Sequence, residues 1–254
     1  MMRRVIRIVR SHGKQFVPDL RRAQVSPLFR GLPVVEREPL AGEADLLADL
    51  CPTGAINAAP FGLNLGKCVF CRECEFACPG VVRFTNDYRI ASNDPNRLVI
   101  THKGPSPTVN DTLVRPEVRR LFRRSLKLRQ VSAAGDNSGE MELNAAGNVN
   151  FDMGRYGIEF VASPRHADGM VITGPISVNM AEALQICYDA IPEPKIIILV
   201  GSEAIGGGLY RKSPVVDRTF LDRYPVDLFV PGNPAHPLTF INGVMDLIRG
   251  DGWG

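Results

Sequence analysis

Five of the six cysteines of this chain lie between positions 51 and 78, and four of them read Cys68-x2-Cys71-x2-Cys74-x3-Cys78-Pro79. Thiolates at i, i+3 and i+6 of a tight loop can face one centre, which suits three corners of a cubane 4Fe–4S cluster. A zinc site would more often use two separated C-x2-C pairs. Cys51 opens "CPTGAI" upstream, so five thiols compete for four corners. The sixth, Cys187, stands alone in a stretch with helical periodicity and reads as a core residue.

The 254 residues suffice for one large domain or two modest ones, each with a buried core. Composition divides the chain into four segments. Residues 1–36 form a basic, irregular N-terminal arm, with Phe29 to Val35 extended. Residues 37–101 form the cysteine-bearing module, and residues 102–129 a turn-rich start followed by a basic, helical linker. Residues 130–250 are glycine-rich and alternate strand-like with helix-like stretches. There "GIEFVASP" and "GMVITGP" read as strands, and "NMAEALQICYDAI" as an amphipathic helix capped by Asn179. "KIIILVG" and "VDLFVPG" read as further strands and "PLTFINGVMDLI" as a closing helix. Continuous apolar strands alternating with helices imply a parallel, doubly wound sheet, whose sites form at the carboxyl ends of its strands. The loops after Gly174, Gly201 and Gly232 are therefore the ones to watch.

No apolar run approaches the ~20 residues a bilayer span needs. The basic start lacks the apolar core and cleavage site of a secretory signal. Clustered cysteines without such a signal imply a reducing cytoplasm. The net charge is +3, concentrated in the N-terminal arm and in Arg115 to Arg129. No nucleic-acid recognition motif accompanies these basic runs, which argues against nucleic acid and for an acidic partner subunit or anionic lipid head groups.

The cysteine module resembles bacterial two-cluster ferredoxin modules. In that pattern the C-x3-C-P cysteine ligates the other cluster of the pair. Cys51 followed by "PTGAI" looks like the last cysteine of a first motif, whose other three would stand at 41, 44 and 47. Ala41, Ala44 and Leu47 stand there instead. The resemblance thus implies one lost cluster and one retained, held by Cys51, Cys68, Cys71 and Cys74. Cys78 becomes a remnant ligand and a buried small residue, with ligation by Cys78 in place of Cys51 the alternative.

The segment from "RQVSAAGDNSGEMELNAAGNVNFDMGRYGIEF" through "SPRHADGMVITGP", with "VGSEAIGGG" and "VPGNPAHP" following in order, resembles the small subunit of energy-converting, membrane-bound nickel–iron hydrogenases. It is equally similar to the corresponding subunit of respiratory complex I. The resemblance implies an α+β ferredoxin-like module followed by an α/β flavodoxin-like domain with a parallel sheet. It also implies a proximal cluster held by four cysteines, whose positions here carry Asp136, Gly139, Glu203 and Asn233. That cluster is therefore expected to be absent. Glu140 and His236 would join Asp136, Glu203 and Asn233 in a polar site: a subunit interface, a proton or ion site, or a new site for a divalent metal. Arg165 and His166 in "SPRHAD" would lie near the catalytic or quinone-binding partner, unless Arg165 is buried and charge-paired. His12 and His102, in polar, turn-like context, carry no role.

Together these features imply a non-catalytic iron–sulfur electron-transfer subunit with one 4Fe–4S cluster. It would be peripheral on the cytoplasmic face of the inner membrane, in an ion-translocating complex with a hydrogenase-like or complex I-like large subunit and membrane subunits. A soluble ferredoxin is a candidate electron donor. The competing expectation is a structural or assembly subunit whose cluster is a folding staple. A redox enzyme in its own right finds no support: "GSEAIGGG" lacks a nucleotide-binding context.

Overall fold

A computed structural model of the chain describes residues 2–13 and 15–253. The arm expected to be irregular opens with an exposed helix, α1 (Met2–His12), so His12 ends a helix and does not sit in a turn. Of the expected extended stretch, Phe29 to Val35, only the end is a strand, β1 (Pro33–Val35), which pairs antiparallel with a strand of the cysteine module. The arm is therefore part of that module's framework. Further back, Tyr88 Oη and Asn242 Nδ2 both donate to the carbonyl of Leu20, fixing the arm to the body of the protein.

The cysteine module continues with α2 (Glu43–Leu50), β2 (Ile56–Asn57), β3 (Gly62–Asn64), α3 (Glu73–Ala77), β4 (Val82–Phe84) and β5 (Val99–Ile100). β1 pairs with β4, and β2, β3 and β5 form a second small antiparallel sheet. Ala44 and Leu47 lie on α2, and Leu47 is wholly buried. A helix thus runs where a first cysteine loop would have been. Its side chains join a core with Val35, Leu63, Leu65, Val81 and Val82.

α4 (Pro116–Phe122) is the helical part of the basic linker, with Pro116 in its first turn where no N–H partner is lost. The linker is shorter than expected, because β6 (Leu126–Ser132) already begins inside it. There follow α5 (Ser138–Ala146), β7 (Ile158–Phe160), β8 (Gly169–Thr173), α6 (Val178–Ala190), β9 (Ile196–Val200), α7 (Ser202–Gly206), α8 (Thr219–Arg223), β10 (Leu228–Val230) and α9 (Pro237–Arg249). α6 starts after Ser177, ahead of the Asn179 cap expected from sequence.

The five strands β6 to β10 form one parallel sheet in the order β10-β9-β8-β6-β7. A parallel sheet of this kind, with helices on both faces, is the flavodoxin-like arrangement. β8 and β9 are buried at every position. Along β9, Ile196, Ile198 and Val200 face one core with α4, α5 and α9, while Ile197 and Leu199 face the other with α6 and α8. That two-sided burial is why the strand is apolar without alternation. β6 sits between β7 and β8, so the chain leaves it first to one side and then crosses to the other. The loops after β6 and β8 therefore diverge and leave a crevice at their carboxyl ends.

Candidate functional site

Cys51, Cys68, Cys71 and Cys74 line one cavity of about 350 Å3, its mouth included, with Leu47, Ala55, Ile56, Leu63 and Phe84 among its apolar walls. Cys51 stands at the C-terminus of α2, and Cys74 in the first turn of α3. Between them the loop 68–72 doubles back with Phe70 and Arg72 at φ of 55° and 71°. Positive φ is costly for residues with a Cβ, so neighbouring contacts must hold the loop. Arg30 does part of this, donating to the Phe70 carbonyl at 2.9 Å.

Two thiols already accept backbone hydrogen bonds: Phe70 N–H donates to Cys68 Sγ at 3.3 Å and Ala55 N–H to Cys51 Sγ at 3.2 Å. Burial, opposed in part by the Phe70 N–H and reinforced by Cys74, Cys51 and Cys71, pushes the Cys68 thiol up to about 12. Burial and the nearby Cys71 and Cys51 do the same to Cys74, also to about 12. Four mutually interacting thiols in an apolar cradle, with N–H groups aimed at sulfur, suit a cationic group that takes thiolates and offsets their desolvation. Among the described residues no group of three or more His, Cys, Asp or Glu side chains is arranged to hold a single metal ion. A four-iron cluster binds each thiolate at a separate iron, so its ligands stand further apart than those of one ion. Four thiols in one apolar cavity are the donor set that a 4Fe–4S cluster takes.

Cys78 is buried but does not line this cavity. It ends α3, its N–H bonded to the Cys74 carbonyl, within the core that holds Val35, Val81 and Val82. Cys187 is half-buried on α6, its thiol raised by burial.

At the carboxyl ends of β6, β8, β9 and β10 lies a second, smaller cavity. Gly135, Asp136, Gly139, Glu140, Thr173, Gly174, Ser202, Glu203 and Asn233 all contribute to its lining. The topology thus brings together Asp136, Gly139, Glu203 and Asn233, the positions where the resemblance implies lost cysteines, and adds Glu140. Glu140 is buried and accepts from the Thr173 hydroxyl at 2.6 Å. Burial first, then the Asp136 and Glu140 carboxylates, push Glu203 above the ordinary carboxylate range. Asp136 is shifted down, because the Ser138 hydroxyl and N–H donate to it at 2.6 and 2.9 Å. Ser202 Oγ, buried beside Glu203, has no hydrogen-bond partner among the described residues. Arg218 donates to the Ala204 and Ile205 carbonyls at the end of α7.

His236 does not join this cavity. It caps α9, Nδ1 accepting from Leu238 N–H at 3.1 Å, and its ring packs among Phe29, Tyr88 and Phe151. Pro237 starts the helix immediately after it, and the capping bond holds the imidazole on the aromatic side. Arg165 and His166 are not buried; they lie on a short 3-10 turn, which removes the reading of Arg165 as buried and charge-paired. His102 is hydrogen-bonded through Nδ1 to the Val35 carbonyl.

Sequence reasoning missed the contacts that join the two cavities. Ile205 packs on Gly66, where a Cβ would stand 2.5 Å from Ile205 Cγ2, and a Cβ on Gly206 would meet the Gly66 carbonyl at 2.5 Å. Arg211 donates to the Thr53 carbonyl, two residues after Cys51. The sequence signal for the first of these was the glycine at each point of close approach.

Residues 137–247 match the family model described as "NADH ubiquinone oxidoreductase, 20 Kd subunit". The chain is 38% identical over 116 residues to the "Probable membrane-bound hydrogenase subunit mbhJ" of Pyrococcus furiosus, covering 45% of this chain and 69% of that one. It is 40% identical over 110 residues to a subunit of the NADH-quinone oxidoreductase of Bacteroides thetaiotaomicron, covering 43% of this chain and 56% of the relative. A chain of the membrane-bound sulfane sulfur reductase, an archaeal respiratory membrane complex, is 28% identical, with a TM-score of 0.46 over 54% of this chain and 77% of that one. Among the described residues no helix is long and apolar enough to cross a membrane. With its parallel sheet and matched loops, the chain belongs, through its C-terminal domain, to the family of the 20 Kd subunit of NADH ubiquinone oxidoreductase and its hydrogenase relatives.

Proposed function

We propose that the chain is an iron–sulfur electron-transfer subunit of a membrane-associated, hydrogenase-like or complex I-like complex, carrying one 4Fe–4S cluster on Cys51, Cys68, Cys71 and Cys74. The observation that carries this reading is the lining of a single apolar cavity by those four thiols, with Cys78 outside it. When bound, such a cluster accepts and donates one electron at a time. The chain's own residues do the rest. Leu47, Ile56, Leu63 and Phe84 exclude water, Phe70 and Ala55 N–H groups hold sulfur, and Arg30 fixes the loop.

In this reading residues 37–101 form a ferredoxin-type module, with β1 of the arm completing it. Residues 102–125 link it to the family domain, whose sheet begins with β6 at Leu126. That domain docks the module on the large subunit, next to the membrane subunits. A soluble ferredoxin is a candidate donor: α2 and α3 leave Leu46, Leu50 and Phe76 exposed, and Leu50 also lines the cavity. No catalytic residue is assigned to this chain. The test is a redox titration followed by EPR in the assembled complex. Reversible one-electron reduction is expected; a cluster that cannot be reduced reversibly would mark it as a folding staple.

The raised Glu203 favours a second role for the same chain: the cavity of Asp136, Glu140 and Glu203 holds a proton in place of a second cluster. Infrared difference spectra should then show a carboxyl band that stays protonated above the pH at which an ordinary glutamate ionises and that Glu203→Gln removes. An unchanged spectrum in the variant would leave the cavity as a plain interface with a neighbouring chain.

A further inference from the structure

α1, "MRRVIRIVRSH", is exposed on all sides and carries no acidic residue in its first turn or anywhere else in its sequence. At 3.6 residues per turn, Met2, Val5, Ile6 and Val9 fall within an arc of about 100°. Arg3, Arg4, Arg7 and Arg10 occupy an opposing arc of about 120° by the same geometry. Ile8 lies at the border and widens the apolar face. Met2, Val5, Ile6, Ile8 and Val9 are 77%, 52%, 46%, 50% and 63% exposed, so none of them is packed against the body of the protein.

Such a helix is not self-sufficient. Eleven residues fall short of the ~12–15 at which isolated helices become marginal in water, and Val and Ile are poor helix formers when unpacked. No opposite charges stand at i,i+4 to support it. A surface that takes the apolar arc and answers four guanidinium groups would supply what is missing.

We infer that α1 lies in the interfacial plane of an anionic lipid bilayer, its Met2–Val5–Ile6–Val9 face entering the acyl boundary and its arginines on the head-group phosphates. Arginine suits this role, since its planar fork binds phosphate oxygens and its long stem lets the charge reach up from the apolar boundary. A helix of this charge pattern binds in the interface without spanning. Beyond any attachment through partner subunits, this chain makes its own lipid contact, whatever its cluster does.

The test is vesicle co-sedimentation of the full chain, without partners. With about one-third phosphatidylglycerol in phosphatidylcholine, binding is expected, falling steeply as salt rises toward about 0.5 M. Pure phosphatidylcholine vesicles should bind far less. The Val5→Glu/Val9→Glu double variant should lose about tenfold or more in partitioning, and each Arg→Gln change at Arg3 or Arg7 about fivefold. All four positions are exposed, so thermal unfolding of these variants should match the parent. Lipid binding that the variants leave unchanged, or equal binding to neutral vesicles, would overturn the inference. So would a helix that binds no lipid and is protected only when acidic partner subunits are added.

Discussion

Ile205 rests on the bare α-carbon of Gly66, with room for no more than hydrogen: a methyl group there would stand 2.5 Å from Ile205 Cγ2. Gly66 is two residues before Cys68 and Ile205 two residues after Glu203, so the two cavities share one packed contact. Gly66→Val should therefore cost about 1–3 kcal/mol by overpacking. Chemical denaturation checks the cost, and a changed cluster EPR line shape would show that it is felt at the cysteines. A variant as stable as the parent would mean that the two parts move apart freely.

Leu47 is wholly buried on α2 and also walls the cysteine cavity. Leu47→Ala removes that wall and should destabilise the protein by about 2–5 kcal/mol. Denaturant unfolding reads the loss, and faster loss of iron on exposure to chelator should accompany it.

Glu43 starts α2 and is gripped by Arg37 through two bonds of 2.7 and 2.9 Å, with the Leu40 N–H adding a third. The Arg37 hydrogen bond, then the Leu40 N–H, lower its pKa from 4.5 to about 2. Because the folded value is depressed, the stability this pair contributes is present above pH 4.5 and is lost as pH falls toward 2. A carboxyl carbon titration by NMR should show Glu43 still ionised well below the ordinary glutamate value of 4.5. Glu43→Gln should flatten the acid limb of stability between those pH values.

Glu203 has the opposite sign. Its folded pKa is raised by burial and by Asp136 and Glu140, so in the window above the ordinary carboxylate range the folded protein holds a proton that the unfolded chain has released. Stability should fall as pH rises through that window and level off once Glu203 ionises. Glu203→Gln should remove this slope, as read from denaturation midpoints across pH. A variant with the parent's pH profile would place the titration elsewhere.

The sheet was legible because burial on both faces leaves a mark in every residue of β9, and because helices alternate with strands. The convergence of Asp136, Glu203 and Asn233 was implied by the family resemblance and not by strand reading, because β6, the strand that leads to Asp136, was hidden in the basic linker. Loops at the carboxyl ends of neighbouring strands then bring the three together. His236 escaped this logic. Three residues beyond Asn233 the chain turns into α9, and capping draws the imidazole out of the cavity and into an aromatic cluster. α1 was hidden by its charge: four arginines among eleven residues look irregular until placed at 3.6 per turn. Long-range packing such as Arg211 on Thr53 leaves no periodic signal at all, because it depends on where two separate segments come to lie.

We propose one four-iron cluster on Cys51, Cys68, Cys71 and Cys74, with Cys78 a spectator. Iron and sulfide analysis with EPR on anaerobically purified protein tests it most directly. About four irons per chain are expected from the ligand arithmetic. Cys51→Ser should abolish the parent signal, and Cys78→Ser should keep it. About eight irons per chain, or loss of the signal with Cys78→Ser but not with Cys51→Ser, would contradict the account.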